Sequence, residues 1–230
     1  MNEIIKGKVK TVFETDEPGC VRITYYDRVT AGNGEKECNP PNKGPINCQI
    51  SSLIFEELER RGIKTHHIKT ISSNSMLCKR VTIYPVEVVV RNYAAGSIVR
   101  QTPFEKGKKF DEPLVEFYLK DDSKNDPLLN EPRLKLLGYP YQIFIDKALE
   151  INKELIRIFA LINLDLVDFK LEFGFTSNGD IILADEVTPD GCRLWKQGTQ
   201  ESMDKDLFRN ETGDLIEAYK KILLDLQGVL

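Results

Sequence analysis

The stretch Leu166-Val167-Asp168-Phe169-Lys170-Leu171-Glu172-Phe173-Gly174, followed by Thr176-Ser177-Asn178-Gly179-Asp180 and Ile181-Ile182-Leu183-Ala184-Asp185, decides the fold. From Val167 to Phe173 apolar and charged residues alternate, the period of a strand, so Asp168, Lys170 and Glu172 share one face and the other face belongs to a core. Asn178-Gly179 is a strong short hairpin signal, and a two-residue loop centred on it sets Ser177 opposite Asp180. Counting back along both strands, the second running over residues 181–187, places Glu172 opposite Asp185 with β-carbons about 5 Å apart. Two like charges at that separation need a shared proton or a cation between them. Mg²⁺, held by one or two carboxylates and by ligand phosphates, meets that need. A register slip of a residue or two would instead leave two solvated acids.

Around this hairpin the chain divides in two. Residues 1–84 read mostly as strands. Lys6, Lys8 and Lys10 alternate with Ile5, Gly7 and Val9, and after the turn Thr15-Asp16-Glu17-Pro18-Gly19 a second alternating run covers residues 21–26, which gives an antiparallel hairpin with lysines on one face. Loops follow at residues 30–34 and 40–45, then a helix over 47–61 stopped by Gly62. Strands are expected at 76–83 and 86–91, divided by Pro85, near which the lobe boundary is drawn. Residues 85–230 contain an acid-rich loop at 120–132, a helix over 142–162, the hairpin, a Gly-rich loop at 188–191 and a closing amphipathic helix over 214–226. This order predicts an α+β fold in two lobes, an antiparallel β amino-terminal lobe and a larger α+β lobe with a cleft between them.

Composition excludes several classes. The 230 residues are 41% hydrophobic and 30% charged, as in ordinary globular proteins, and the formal net charge of -4 gives no general attraction to nucleic acid or to an anionic membrane. After Met1 the sequence has no apolar run long enough for a signal peptide or membrane span, so a cytoplasmic location is expected. The five cysteines are scattered without a Cys-x-x-Cys pair, which argues for reduced thiols rather than a disulfide framework or zinc site. The adjacent His66 and His67 point apart in an extended segment, so they are expected on the surface and not on a shared metal.

A second constellation is Tyr84-Pro85-Val86-Glu87-Val88-Val89-Val90-Arg91, running into Asn92-Tyr93-Ala94-Ala95-Gly96-Ser97. Glu87 and Arg91 share a strand face about 13 Å apart, so each needs its own partner. Ala95-Gly96-Ser97 offers a glycine backbone and a hydroxyl, and Arg91 a bidentate fork, for a phosphate; a simple strand-to-helix turn is the alternative. Gly7-Lys8-Val9-Lys10 can cover nucleotide phosphates or be merely solvated. The chain has neither a P-loop nor a Gly-x-Gly-x-x-Gly fingerprint.

The segments 84–97 and 166–174 resemble the two signature motifs of the SAICAR synthetase family, the phosphoribosylaminoimidazole-succinocarboxamide synthases. Supporting pieces occur in the family's order: Gly7-Lys8-Val9-Lys10-Thr11-Val12, Asp27-Arg28-Val29-Thr30-Ala31-Gly32-Asn33-Gly34, Lys120-Asp121-Asp122, Asp126-Pro127, Ala184-Asp185-Glu186, Pro189-Asp190-Gly191-Cys192-Arg193-Leu194-Trp195 and Asp204-Lys205-Asp206. The resemblance spans nearly the whole length. It implies ATP-dependent ligation of L-aspartate to the carboxylate of carboxyaminoimidazole ribonucleotide (CAIR), giving SAICAR, ADP and phosphate in purine biosynthesis, by a homodimer. Alternatives are a small-molecule kinase and a catalytically inactive nucleotide-binding protein.

By this analogy Mg²⁺ sits on Glu172 and Asp185, with Lys8, Lys10 and Lys79 at the ATP. Lys170 and Asp190 are the catalytic candidates. Arg91, Ser97 and Arg193 hold the ribonucleotide phosphate, Glu87 and Asp168 also bind substrate, and Lys120 and Arg209 take the aspartate carboxylates. Two positions depart from some relatives, which have a histidine in place of Asn125 and an acid in place of Asn33, so neither can be an obligatory acid or base. Removal of the amine proton then falls to Asp190 or to substrate phosphate.

Overall fold

The computed structural model describes residues 2–31 and 36–230. Gly32, Asn33 and Gly34 of the expected loop therefore lie outside the described residues. In chain order the elements are β1 (Glu3–Lys6), β2 (Lys10–Glu14), β3 (Cys20–Tyr25), β4 (Val29–Ala31), β5 (Lys36–Cys38), α1 (Lys43–Arg60), β6 (His67–Ser72) and β7 (Ser75–Lys79). They continue as β8 (Thr82–Tyr93), α2 (Ser97–Gln101), β9 (Lys109–Leu119), β10 (Leu128–Leu129), α3 (Glu131–Leu136), α4 (Tyr141–Ala160), β11 (Leu164–Phe175), β12 (Ile181–Ala184), β13 (Cys192–Lys196), α5 (Asp206–Asn210) and α6 (Leu215–Val229). One antiparallel sheet has the order β1-β2-β3-β7-β6; a second runs β10-β9-β8-β11-β12, with β13 also paired to β11. One large apolar core passes through both, and Ala95, Val167 and Trp195 form a smaller cluster apart from it.

The alternation in β11 works as its sequence demands. Phe169, Leu171 and Phe173 enter the core, where Phe173 stacks on Phe144 of α4 with ring centroids 5.4 Å apart. Asp168 and Glu172 fall on the opposite face yet are also buried, because that face is covered by other charged groups rather than by water. Val86, Val88 and Val90 of β8 enter the same core, leaving Glu87 and Arg91 beside the β11 acids. Residues 109–119 form a long strand that sequence patterning did not single out.

Four expectations are corrected. The hairpin loop has three residues: Gly179 N–H donates to Thr176 O and Thr176 N–H to Asp180 O, with Gly179 at φ 84. That is the turn-plus-glycine loop next in frequency to the two-residue type. It moves the pairing by one residue, so Glu172 faces Ala184 instead of Asp185. Pro85 does not divide two strands but lies within β8, where the register with β11 slips, a position that lacks a demand for its missing N–H. Lys6, Lys8 and Lys10 do not share a face, because Lys6 ends β1, Lys8 lies in the turn and Lys10 begins β2. His66 and His67 are buried, not on the surface, with His66 edge-on to Phe55 at 5.3 Å.

The start of α1 is fixed by Asp27, whose carboxylate accepts from Asn42 N–H (2.9 Å) and Gly44 N–H (2.8 Å). This brings the helix so close to the end of β3 that a β-carbon on Gly44 would lie 2.8 Å from the Tyr26 carbonyl carbon. Backbone cannot swing aside as a side chain can. Gly44→Ala should therefore destabilise the fold by about 2 kcal/mol, read as a shift in the urea midpoint at unchanged slope.

Burial lowers the pKa of His66 to about 3, with Lys10 and His67 adding to it against Asp185. The folded value lies below the unfolded one of about 6.5, so stability falls as pH drops from there toward 3. Compared with His66→Phe, the native chain should lose on the order of 3 kcal/mol between pH 7 and pH 4. Parallel urea midpoints for the two proteins across that window would rule this out.

Candidate functional site

The site is built on the polar face of β8 and β11. Antiparallel pairing sets Asp168 beside Arg91, Lys170 beside Val89, and Glu172 beside Glu87. The face-to-face acids are thus Glu172 and Glu87, and their cation is an ammonium: Lys170 Nζ lies 2.9 Å from Glu87 Oε1 and 3.0 Å from Glu172 Oε1. Lys120 Nζ completes the arrangement at 2.7 and 2.6 Å from the two Glu172 oxygens. Burial would depress the Lys170 pKa, but Glu172, Asp185 and Glu87 outweigh it and raise it, so Lys170 is a fixed cation.

Asp185 follows β12 at φ 65, where the chain leaves the strand, and its Oδ1 lies 2.7 Å from Lys10 Nζ. Glu186 Oε1 is 3.5 Å from the same ammonium. Against the cost of burial, Lys10, Lys170 and Lys120 together hold the Asp185 carboxyl far below the usual range. Hard oxygen donors are present on Glu172, Asp185 and Glu186, and the buried Oε2 of Glu186 accepts no hydrogen bond among the described residues. Among the described residues no three acidic, His or Cys side chains converge on one metal position. A divalent ion fits here only with part of its shell supplied by a ligand's oxygens, the usual case for Mg²⁺.

Arg91 is 3% exposed and its five donors all meet protein acceptors. Nε donates to Glu116 (2.6 Å), one terminal nitrogen to Asp168 (2.9 Å) and Ala95 O (3.3 Å), the other to Ser97 Oγ (2.9 Å) and Tyr118 OH (3.5 Å). The fork expected to grip a phosphate is committed to holding Ser97 and Asp168 in place. Arg193 donates from Nε to Asp206 (2.9 Å) and from one terminal nitrogen to Asp168 (2.8 Å), so Asp168 sits between two guanidiniums. The Arg193 guanidinium lies over Gly96, where any β-carbon would come within 2.6 Å of it.

These groups line a cleft of about 460 Å³ together with Lys8, Asp190, Lys205 and Arg209. Lys8 stands at its rim on Asp122 (2.8 Å), and Arg209 pairs with Asp206 (2.5 Å). Glu172 adjoins it through its contact with Lys170 and brings Lys120, while Asp185, with Lys10, lies within electrostatic reach of Lys170. Lys79 is not brought to the cleft: its ammonium donates to Thr65 O (2.9 Å) and pairs with Glu59 (3.4 Å) in a separate recess beside His67. Lys120 has a carboxylate partner already in Glu172, so its expected role toward a substrate carboxylate would require exchange of that pair.

Asp190 fits poorly as a base. Burial raises its pKa, but Lys43, Lys205 and the hydrogen bonds from Lys43 and Tyr219 prevail and lower it. Sequence reading missed Lys205. It lines the cleft, is partly buried, and its ammonium makes no hydrogen bond or ion pair among the described residues. Asp204-Lys205-Asp206 entered the resemblance only as a supporting piece, and its local pattern alone is that of a solvated lysine; the tertiary placement brings Lys205 to the cleft.

A family model described as SAICAR synthetase matches residues 3–226. The chain is 48% identical over 233 residues, spanning the whole of both proteins, to the phosphoribosylaminoimidazole-succinocarboxamide synthase of Staphylococcus carnosus (strain TM300), and 47% identical, again over the full length, to that of Staphylococcus aureus (strain JH9). Among solved structures it resembles a SAICAR synthetase (Type-2) in complex with ADP, at 42% identity, a TM-score of 0.93 and 97% of each chain. It also resembles the synthase from Ehrlichia chaffeensis, at 36% identity and a TM-score of 0.94 over all of both chains.

The Arg91 network generates a test. Arg91→Lys retains the charge but removes the planar fork, leaving Glu116, Asp168 and Ser97 short of donors. It should lower stability by about 2 kcal/mol and impair all ligands alike. A selective loss of affinity for one phosphate-bearing ligand, at unchanged melting temperature, would mean that Arg91 binds that phosphate directly.

Proposed function

The chain belongs to the SAICAR synthetase family, and from that premise we propose how its cleft performs ATP-dependent ligation of L-aspartate to the carboxylate of CAIR. The products are SAICAR, ADP and phosphate, in de novo purine biosynthesis. The observation that carries the residue assignments is the joining, in one cleft, of a fixed cation, Lys170, with Ser97, Arg193, Lys205 and Arg209.

A carboxylate is a poor electrophile. Transfer of the γ-phosphoryl group to the CAIR carboxylate gives an acyl phosphate; the aspartate amine then attacks the acyl carbon, the bond to phosphate breaks, and the amine proton leaves with the phosphate oxygens. Such transfer depends on positioning and charge stabilisation more than on covalent help. In this reading Lys170, held between Glu87 and Glu172, faces the reacting carboxylate. Lys10 and Lys8 face the nucleotide phosphates, Ser97 and Arg193 the ribonucleotide phosphate, and Lys205 and Arg209 the carboxylates of aspartate. Asp190 acts as a fixed anion rather than as the base.

Mg²⁺ would supply charge neutralisation for the phosphates, held by Asp185 and Glu172, with Glu186 adjacent. Residues 1–84 serve in this reading as the lobe that covers the nucleotide and 85–230 as the lobe that binds substrates and metal. A cytoplasmic homodimer is part of the same proposal, supported by family resemblance. Among the described residues no helix is long and apolar enough to cross a membrane.

Omitting each substrate in turn tests the reading: ADP should form rapidly only when CAIR and aspartate are both present. Release that ignores aspartate would identify a kinase. Lys10→Ala should chiefly impair use of ATP, and Ser97→Ala should chiefly raise the KM for CAIR, because contacts remote from the reacting atoms contribute mainly to binding. The opposite partition would exchange the two phosphate sites.

A further inference from the structure

Asp190 lies in the turn between β12 and β13 and is gripped from the two ends of the chain. The Lys43 ammonium, from the first residue of α1, reaches its Oδ2, and Asn47 Nδ2 donates to the same oxygen at 2.9 Å. Tyr219 of α6 donates its hydroxyl to Oδ1 at 2.8 Å. Lys43 and Asn47 are each 1% exposed and Tyr219 is fully buried. A desolvated ion pair of this kind is a weak source of stability compared with apolar packing of the same volume. Its effect is better sought in what the anchored turn holds.

That turn offers two main-chain acceptors to the backbones that carry the cleft lysines. Gly191 O accepts from Lys170 N–H at 2.9 Å, and Pro189 O accepts from Lys205 N–H at 3.2 Å. Gly191 and Cys192 N–H both return to Thr188 O, at 3.0 and 2.9 Å, which closes the turn on itself. The backbones of two cleft lysines on separate elements are thereby tied to one loop whose side-chain anchor is Asp190.

We propose that Lys43, Asn47 and Tyr219 are positioning residues for the ligation: by clamping Asp190 they fix the 188–191 turn and so set Lys170 and Lys205 at a constant separation across the cleft. This rests on the ligase reading above. The clamp requires Asp190 in its anionic form, since two of its three partners there are uncharged donors and the third is a cation. The groups facing it are Lys43 and Asn47 from α1, Tyr219 from α6, Lys205 ahead of α5, and Glu186 from its own connection. Loss of one donor raises the pH at which the anion is lost.

Tyr219→Phe removes one donor and keeps the buried ring. It should lower kcat about tenfold while the KM for ATP stays within about twofold, and it should move the acid limb of kcat/KM for CAIR to higher pH. Hydrogen exchange at the Lys170, Lys205 and Cys192 amides should quicken, with the rest of β11 unchanged. Lys43→Met should show the same pattern more strongly; if it fails to fold, Tyr219→Phe decides. Unchanged kcat, acid limb and amide exchange in Tyr219→Phe would overturn the clamp, and so would a uniform rise in every KM with a matching fall in melting temperature. If the unmodified protein fails to require both CAIR and aspartate, the ligase reading falls, and exchange at the Lys170 and Lys205 amides still decides the clamp.

Discussion

The ammonium of Lys170, shared between Glu87 and Glu172 on neighbouring strands, is the contact on which the cleft depends. Antiparallel pairing forces those two carboxylates side by side in the central ladder of the larger sheet, where repulsion would otherwise oppose the register. Lys170 lies two residues along β11 from Glu172, opposite Val89, and neutralises both without leaving the β11 face. Removing it would leave the half-buried Glu87 without its ammonium and the buried Glu172 with Lys120 alone, so fold and site cannot be separated at this point.

The same logic extends outward. Asp168 is held by Arg91 and Arg193, Asp185 by Lys10, and Asp190 by Lys43 and Tyr219. Each acid on the polar face has a cation drawn from a different element, so the cleft is assembled by charge pairing between segments far apart in sequence. Lys205 stands outside these pairs, its ammonium making no hydrogen bond or ion pair among the described residues. A cleft made of paired charges is pre-oriented for anions, because its dipoles need not reorganise when phosphate or carboxylate enters.

Fixed geometry also redistributes the roles that residue types suggest. An arginine near a glycine-serine turn invites a phosphate, yet the Arg91 donors end on Glu116, Asp168, Ser97, Tyr118 and a carbonyl. Its neighbour Arg193 reaches the same acid from β13 and shields Gly96. Lys79 falls in a different recess because β7 turns its side chain toward α1.

Local sequence alone determined that residues 166–174 form a strand with a charged face, that Asn178-Gly179 turns the chain, that residues near 47–61, 142–162 and 214–226 are helical, and that Glu87 and Arg91 need separate partners. These follow from periodicity and turn chemistry, which act over a few residues. Motif resemblance over the full length pointed to the chemistry. Only the tertiary structure decided which acid faces Glu172, since one extra loop residue shifts every pairing of the hairpin. It alone buried His66 and His67 against Phe55, drew Lys43 and Tyr219 onto Asp190, and brought Lys205 to the cleft with its ammonium unpaired among the described residues. Partner choice among charges depends on contacts between elements tens to hundreds of residues apart, and no local pattern encodes those distances.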